Sequence, residues 1–326
     1  MKVVVAIDSF KGSATSAELN QAVKTAVLSV FPKFNVETFE IADGGEGSVS
    51  ALHSGLGGNF IEVETVDLMK RSMQASYLFL DHRLAVIEAA EVVGIDKIKP
   101  DEKTIQEATT FGLGALFLDA KKRGATEIVL SLGGSGTSDG GRGLLEALEG
   151  QDFSTIKITG LADVTNVYAG AEGYAKVFGK QKGGTAEILE RQDRAAQAFV
   201  QKIKKERKID LQEIPGTGAA GGLGGALVLL GGTLEPGFGK IAELLKIEEA
   251  IKTADLIITG EGQMDFQTAK GKVPFGMAKL GAKYNVPTIA FCGSLSEDLG
   301  EMSKILLASY SIQRTVLPLE IGRAHV

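Results

Sequence analysis

One stretch of the chain, residues 259–272, combines residue types that suit the binding of an anion together with a divalent cation. It reads TGEGQMDFQTAKGK and follows an apolar run, residues 254–258, that is typical of a buried parallel strand. Ligands of open α/β sheets bind at the loops that leave the carboxyl ends of the strands. We therefore predict a binding loop here, whose charged members are Glu261, Asp265, Lys270 and Lys272.

A second glycine-rich loop, residues 133–141, reads GGSGTSDGG and follows a predicted strand over residues 127–132. A helix is predicted to come next, and free amides at a helix N terminus can bind a phosphate. The hydroxyl groups are further donors, and Asp139 could contact a cation. A turn with a capped helix is the alternative, but we favour phosphate binding. The predicted cofactor-binding residues are Gly133, Gly134, Ser135, Thr137, Ser138 and Asp139.

Three more loops place charges among glycines. Asp43 and Glu46 lie three residues apart after a predicted strand, and such a pair can share a metal or divide the roles of base and ligand. Lys11 follows the first predicted strand and Lys182 lies in QKGG; each could contact a phosphoryl group. A solvated turn and surface lysines are the alternatives. Loops of this kind, brought together, are typical of phosphoryl transfer, in which positioning and charge neutralisation do most of the catalysis.

The composition excludes several other classes of function. A formal charge of −6 over 326 residues argues against binding to a nucleic-acid backbone. No apolar run approaches the length of a membrane span. The single cysteine, Cys292, permits no internal disulfide, and we expect it to be a buried thiol in a reducing cytoplasm. The three histidines do not cluster in sequence, which disfavours a histidine metal centre or Ser–His–Asp chemistry.

The predicted elements indicate an α/β fold. The chain begins strand–loop–helix–strand–loop–helix, as in a doubly wound sheet, and Thr15 with Glu18 forms a capping box before the first helix. A helix is predicted over residues 104–122. Three successive strands without long helices between them indicate an antiparallel or mixed sheet; they are residues 59–66, 73–80 and 84–89.

A rival function comes from residues 216–221, GTGAAG, which match the dinucleotide fingerprint G-x-G-x-x-G. Pro215 precedes them and the strand before them is weak, so we favour tightly packed glycines. A dinucleotide (NAD-type) oxidoreductase is nevertheless one alternative function, and a non-catalytic sensor that binds sugar acids is the other. The P-loop motif G-x-x-x-x-G-K-[ST] does not occur in the sequence.

Taken together, these motifs resemble the bacterial glycerate kinase family of the glycerate 2-kinase type. They run in family order over nearly the whole chain. The resemblance implies transfer of the ATP γ-phosphoryl group to a hydroxyl of D-glycerate, giving 2-phosphoglycerate, with Mg²⁺ as cofactor. The matching segments are AIDSFKGS at 6–13, IADGGEG at 41–47, LGGSGTSDGG at 132–141, ADVTN at 162–166, VFGKQKG at 177–183, GTGAAGGLG at 216–224 and ADLIITGEGQMDFQTAKGK at 254–272.

The resemblance also implies an architecture. We expect a Rossmann-like, doubly wound domain built from both chain ends, residues 1–66 plus 255–326, with an inserted second α/β domain containing a mixed sheet, residues 67–254. The active-site cleft is expected between the two domains, which should close to exclude water. The implied partners are ATP and glycerate, with no nucleic acid and no membrane. We expect a monomer or homodimer in the cytoplasm.

Roles for individual residues follow from the resemblance as hypotheses. Asp43 is the first choice for the general base, and the expected catalytic residues are Lys11, Asp43, Asp265 and Lys272. Expected substrate contacts are Ser9, Glu46, Arg71 and Gln267. Lys182 and Glu261 join the loop residues named above as cofactor contacts, and Asp139 and Glu261 are expected to bind the metal.

The chain departs from the family's usual pattern at a few positions. These departures change the expected substrate pocket more than the expected reaction; they are Leu68, Met69, Lys70, Val93, Val167, Tyr168 and Lys180. The last six residues, IGRAHV, match one reading frame of a common sequencing adapter, so we expect the native C terminus to be missing.

Overall fold

A computed structural model describes residues 1–265, 268, 271–296 and 298–313. The adapter-like last six residues lie outside this described part. The strands are β1 (Lys2–Ile7), β2 (Asn35–Thr38), β3 (Asn59–Val66), β4 (Ser72–Leu80), β5 (Leu84–Glu88), β6 (Glu127–Ser131), β7 (Lys157–Leu161), β8 (Thr233–Glu235), β9 (Leu256–Met264), β10 (Thr288–Leu295) and β11 (Ala308–Ser311).

The helices vary widely in length. They are α1 (Ser16–Val30), α2 (Ser48–Leu56), α3 (Ala89–Val93), α4 (Thr104–Glu107), α5 (Leu113–Lys122), α6 (Arg142–Ala147), α7 (Tyr174–Phe178), α8 (Ala186–Arg207), α9 (Ala219–Leu229), α10 (Gly237–Leu244), α11 (Ile247–Ile251), α12 (Val273–Tyr284) and α13 (Met302–Ile305). Within the described ranges, none of them combines the length and the apolar character that a membrane crossing requires.

The chain divides into two compact units. Unit 1 comprises Met1–Asp43, Ser50–Gly57 and Pro236–Val326, and unit 2 comprises Gly44–Val49 and Gly58–Glu235. These bounds differ from the expected ones at both junctions. Strand β3 belongs to unit 2 because it pairs with β4 along its whole length. Helices α10 and α11 belong to unit 1 because they pack against α12.

Over its described residues, unit 1 contains a five-stranded parallel sheet in the order β11-β10-β9-β1-β2. Strand β1 is an almost fully buried apolar run, as expected for a parallel strand covered on both faces. Val3, Val5 and Ile7 pack on one face with Leu19 of α1. The direction of winding reverses between β1 and β9, because β2 is added next to β1 on one side of the sheet and β10 is added next to β9 on the other. Ligands of doubly wound sheets bind outside the carboxyl ends of the strands at such a switch point.

Unit 2 contains a six-stranded mixed sheet in the order β3-β4-β5-β6-β7-β8. The first three strands are antiparallel, and the strands from β5 to β8 are parallel. Its core contains fully buried large side chains, among them Tyr77, Leu116 and Phe117. The predicted fold class, a Rossmann-like domain from both chain ends with an inserted α/β domain that contains a mixed sheet, is confirmed.

Two local predictions have opposite outcomes. The capping box is confirmed, because Thr15 accepts the amide of Glu18 and Glu18 accepts the amide of Thr15. The prediction of a single helix over residues 104–122 is wrong, because a turn separates α4 from α5. In that turn the amide and hydroxyl of Thr110 donate to the Asp139 carboxylate at 2.8 and 2.9 Å. A tertiary contact therefore replaces the helical hydrogen bonds.

Candidate active site

Asp8 directly follows β1, and Glu261 lies in the second half of β9, so the two acids belong to the two strands that flank the switch point of unit 1. Ile7 pairs with Gly260 in the β1–β9 register, and the Asp8 amide donates to the Gly260 carbonyl at 2.9 Å. Each of the two acids therefore comes directly after one member of the same residue pair, Ile7 and Gly260. Asp8 is 9% exposed and Glu261 is 5% exposed. Burying two carboxyls this deeply costs folding free energy, which makes both residues candidates for a functional site.

Asp8 is a candidate that the sequence reasoning missed. Burial, followed by the negative charges of Asp43 and Glu261, raises the pKa of Asp8 to about 7, although the Ser9 amide and Lys11 act in the opposite direction. The Ser9 amide donates to Asp8 Oδ1 at 2.7 Å. A signal was present in the sequence, because Asp8 directly follows the first buried strand. A carboxyl with a pKa near neutrality suits proton transfer.

Glu261 is bonded through both carboxylate oxygens. The Thr268 hydroxyl donates to Oε1, and the Lys272 ammonium lies 3.2 Å from Oε2. Burial raises the pKa of Glu261 and outweighs the opposing effects of Thr268 and Lys272. For Lys272, burial lowers the pKa, but the charges of Glu261, Asp43 and Asp265 outweigh it and the pKa lies above its ordinary value.

Five of the predicted site residues thus interact electrostatically in unit 1. With Asp8 they form what we call the acid–lysine cluster: Asp8, Lys11, Asp43, Glu261, Asp265 and Lys272. Lys272 is the residue just before α12, and Pro274 occupies the first turn of that helix, where its missing amide hydrogen costs nothing. Ser9 is adjacent to Asp8 in the same loop, whereas Gln267 lies outside the described residues.

Asp139, a predicted metal ligand, has a different environment in unit 2. Its Oδ1 accepts the Gly141 amide at 2.9 Å, and its Oδ2 accepts the Gly143 amide at 3.1 Å in addition to the two bonds from Thr110. Asp139 therefore caps the short helix α6. The amides of Gly141 and Gly143 are therefore not free, and the Leu144 amide donates to the Thr110 hydroxyl at 3.0 Å, which contradicts the expectation of free amides at these positions. Metal binding by Asp139 stays a prediction that this geometry disfavours.

The hydroxyl groups of the same loop also have internal partners. Ser135 and Thr137 share a hydrogen bond of 2.9 Å, and Ser138 donates to Gln192 at 2.9 Å. Lys182, 3% exposed, donates to the Thr137 carbonyl at 2.6 Å. Burial lowers the pKa of Lys182 to about 8, against the opposing charge of Asp139. The loop is held by these contacts, and phosphate binding by Gly133, Gly134 and the residues after them stays a prediction.

Glu46 belongs to unit 2, although it lies only three residues after Asp43. Its loop is attached to the unit 2 sheet, where Ser131 donates to the Gly45 carbonyl at 3.0 Å and Glu88 accepts the Val49 amide at 2.8 Å. Burial raises the pKa of Glu88, and the charges of Glu46 and Glu91 add to this effect. The interactions of Glu46 thus differ from those of Asp43, and its predicted substrate contact is untested.

Arg71 lies in the turn that joins β3 to β4. Its Nε donates to Asp67 at 2.6 Å, and its Nη2 donates to the Lys97 carbonyl at 3.0 Å. Asp67 also accepts the amides of Met69 and Arg71. One edge of the guanidinium therefore stabilises the turn. A bidentate contact with a substrate carboxylate, which stays a prediction, would have to use the other edge.

The glycines of residues 216–221 pack against the protein itself. A Cβ on Gly221 would lie 2.0 Å from the Thr137 carbonyl oxygen, and one on Gly218 would lie 2.3 Å from that of Val167. Residues 220–222 have left-handed backbone angles, so regular helix begins only at Leu223. The segment follows α8 and turns, not the strand that a dinucleotide fingerprint requires. The favoured prediction of tightly packed glycines is confirmed.

Comparisons with known proteins indicate the family of this chain. The chain matches the glycerate kinase family over residues 3–155 and 150–324. It is 34% identical to glycerate 2-kinase of Escherichia coli K12, an alignment that covers 92% of this chain and 87% of that protein. It is 35% identical to a glycerate kinase of Bacillus cereus, covering 98% of this chain and 92% of the relative.

A solved structure is similar over the same length. The crystal structure of a proposed glycerate kinase 2 from Salmonella typhimurium LT2 matches with a TM-score of 0.87 and 32% identity, covering all of this chain and 94% of the other. Sequence and fold agree over nearly the whole length of both proteins. The chain therefore belongs to the glycerate kinase family and is a phosphotransferase.

Proposed function

We propose that this protein transfers the γ-phosphoryl group of ATP to the 2-hydroxyl of D-glycerate, giving ADP and 2-phosphoglycerate. The observation that carries the proposal is the acid–lysine cluster at the switch point of unit 1, in a chain of the glycerate kinase family. The name of the relative in Escherichia coli, glycerate 2-kinase, supports the choice of hydroxyl.

The cluster supplies the groups that phosphoryl transfer needs. Lys11 and Lys272 would neutralise charge on the phosphates or on the substrate carboxylate. The substrate hydroxyl gives its proton to an ionised carboxylate as its oxygen bonds to phosphorus, and the departing oxygen of ADP keeps the electrons of the broken bond. We assign the proton acceptor to the Asp8–Asp43 pair, with Asp43 as base. The two charges interact, and the negative charge of Asp43 helps to raise the pKa of Asp8.

Magnesium fits this site by the chemistry of its donors. Among the described residues there is no group of three or more His, Cys, Asp or Glu side chains placed to hold a metal. Mg²⁺ usually needs only one or two carboxylates, because phosphate oxygens and water complete its coordination. We propose Glu261 and Asp265 for this role. When bound, the ion would supply neutralisation of the phosphoryl charge.

We also propose a cytoplasmic monomer or homodimer. In support, the thiol of Cys292 is buried, and burial raises its pKa to about 12. A buried thiol that stays protonated is unreactive, which fits a protein of a reducing compartment. Sedimentation of the purified protein over a range of concentrations distinguishes the two oligomeric states.

The proposed function is tested by incubating the protein with ATP, Mg²⁺ and a panel of short hydroxy acids. Phosphorus NMR of the products should show ADP and a single new phosphomonoester, with glycerate the preferred acceptor. An ester at the 3-hydroxyl would retain the kinase and correct the position of transfer. Binding of glycerate without any ester would support the sensor instead, and oxidation of a hydroxy acid with NAD⁺ would support the dehydrogenase.

A further inference from the structure

We infer that Thr268 is a positioning residue for the proposed phosphoryl transfer, because its hydroxyl holds Glu261 and Glu261 in turn holds the ammonium of Lys272. The inference rests on the proposed function. It concerns a residue that neither the sequence motifs nor the charges of the cluster single out.

Glu261 links the Thr268 hydroxyl to the Lys272 ammonium. Its carboxylate is buried, and its two oxygens have different partners: Oε1 accepts the Thr268 hydroxyl and Oε2 accepts the Lys272 ammonium at 3.2 Å. A carboxylate that is bonded through one oxygen has a fixed plane, so its other oxygen is a fixed acceptor. The buried Glu261 carboxylate therefore orients the Lys272 ammonium. The Lys272 side chain is 36% exposed, so it remains accessible to a ligand.

Thr268 has further hydrogen-bond partners. Its hydroxyl oxygen also accepts the Asp265 amide at 3.1 Å, and its own amide donates to the Asp265 carbonyl at 3.1 Å. Its carbonyl accepts the Lys272 amide at 3.4 Å. One threonine therefore contacts three predicted site residues. Thr268 is fully buried, at 0% exposure, so it does not itself reach a ligand and acts through its neighbours.

Loss of the hydroxyl would leave Glu261 Oε1 without its donor. A hydroxyl is both one donor and an acceptor, so valine, which has the same shape, removes both bonds at once. The vacated Oε1 then competes with Oε2 for the Lys272 ammonium and draws it away from its position. A displacement of about 1 Å in a positioning group can lower turnover by about 100-fold.

The test compares Thr268→Val with a matched control in the same unit. Thr288 is equally buried, but among the described residues its hydroxyl has no hydrogen-bond partner, so Thr288→Val removes a hydroxyl without breaking a bond. We expect Thr268→Val to lower kcat about 10- to 100-fold with little change in the KM for glycerate. Thr268→Ser, which keeps the hydroxyl, should recover most of the activity, and Thr288→Val should match the wild type.

A double-mutant cycle separates positioning from general destabilisation. In the Lys272→Met background there is no ammonium to orient, so Thr268→Val should lower kcat by less than about threefold. Thermal unfolding of each variant shows whether it is folded at the assay temperature. Where Thr268→Val does not fold, Thr268→Ala takes its place in the same cycle.

The outcomes are distinguishable. Wild-type protein that forms no phosphoglycerate overturns the proposed function, and this inference with it. An active wild type in which Thr268→Val is as fast as Thr288→Val overturns the inference alone. Equal losses from Thr268→Val with and without Lys272 also overturn it, because they would show that Thr268 does not act through the lysine.

Discussion

Burial of Asp8, together with the negative charge of Asp43, raises the pKa of Asp8 to about 7 in the folded protein. Both residues lie beyond the carboxyl ends of strands in the unit 1 sheet: Asp8 comes directly after β1, and Asp43 lies in the loop after β2. Together they place a titratable group of near-neutral pKa at the switch point of a parallel sheet, where a ligand is expected.

The raised pKa of Asp8 predicts a pH-dependent effect on stability. Between the ordinary pKa of an aspartate and about 7, the folded protein holds a proton that the unfolded chain releases, so the free energy of unfolding falls as the pH rises. Asp8→Asn removes this loss. We expect the free energy of unfolding of the Asp8→Asn variant, relative to that of wild type, to increase by on the order of 2 kcal/mol between pH 5 and pH 8.

Urea denaturation of wild type and Asp8→Asn at several pH values measures this difference. An advantage that stays constant from pH 5 to pH 8 would show that the Asp8 pKa is not raised. The Asp8→Asn variant should have lower turnover than wild type even at pH values where it is more stable, because residues of functional sites commonly lower stability while supporting activity.

Asp43→Asn should affect both the rate and its pH dependence. Loss of the base should lower kcat by about two to four powers of ten. Removal of the negative charge also lowers the pKa of Asp8, so the remaining activity should extend to lower pH than in wild type. Initial rates from pH 5 to pH 9 test both effects, with the exposed Asp152→Asn as control. Unchanged turnover would remove Asp43 from the role of base.

Asp139→Ala should destabilise the protein without weakening its response to Mg²⁺. The carboxylate accepts amides at the start of α6 and in the turn before α5, so its loss leaves donors without partners. We expect a decrease of about 1–3 kcal/mol in the free energy of unfolding. The Mg²⁺ concentration for half-maximal activity should be unchanged; a large increase, with stability unaffected, would restore Asp139 as a metal ligand.

Gly221→Ala should be more destabilising than Gly231→Ala. Both glycines have positive φ, 67° and 86°, so an alanine at either position carries backbone strain of about 1–2 kcal/mol. Only at position 221 would the added Cβ also collide with the Thr137 carbonyl; at position 231 there is nothing within 4 Å. Thermal unfolding of the two variants isolates the contact from the strain, and equal losses would argue against the close packing of this segment.

Local patterns in the sequence were sufficient for most of the architecture. The apolar run of β1 and the Thr15–Glu18 capping box depend on residues close together in the chain, so their physical causes are visible without coordinates. The helix over residues 104–122 was not predictable in the same way. Its interruption depends on Asp139, which is 29 positions from Thr110 in sequence.

The sequence by itself determined the family, the order of the motifs and the α/β class, because these follow from residue types and their spacing. Only the tertiary structure decided which carboxylates stand in the acid–lysine cluster and which are capping groups. Asp8 and Asp139 are both acids in loops after strands, but the first is buried against other negative charges and the second is surrounded by donors. The pKa and the chemistry of a carboxyl depend on such neighbours, which folding brings from distant parts of the chain.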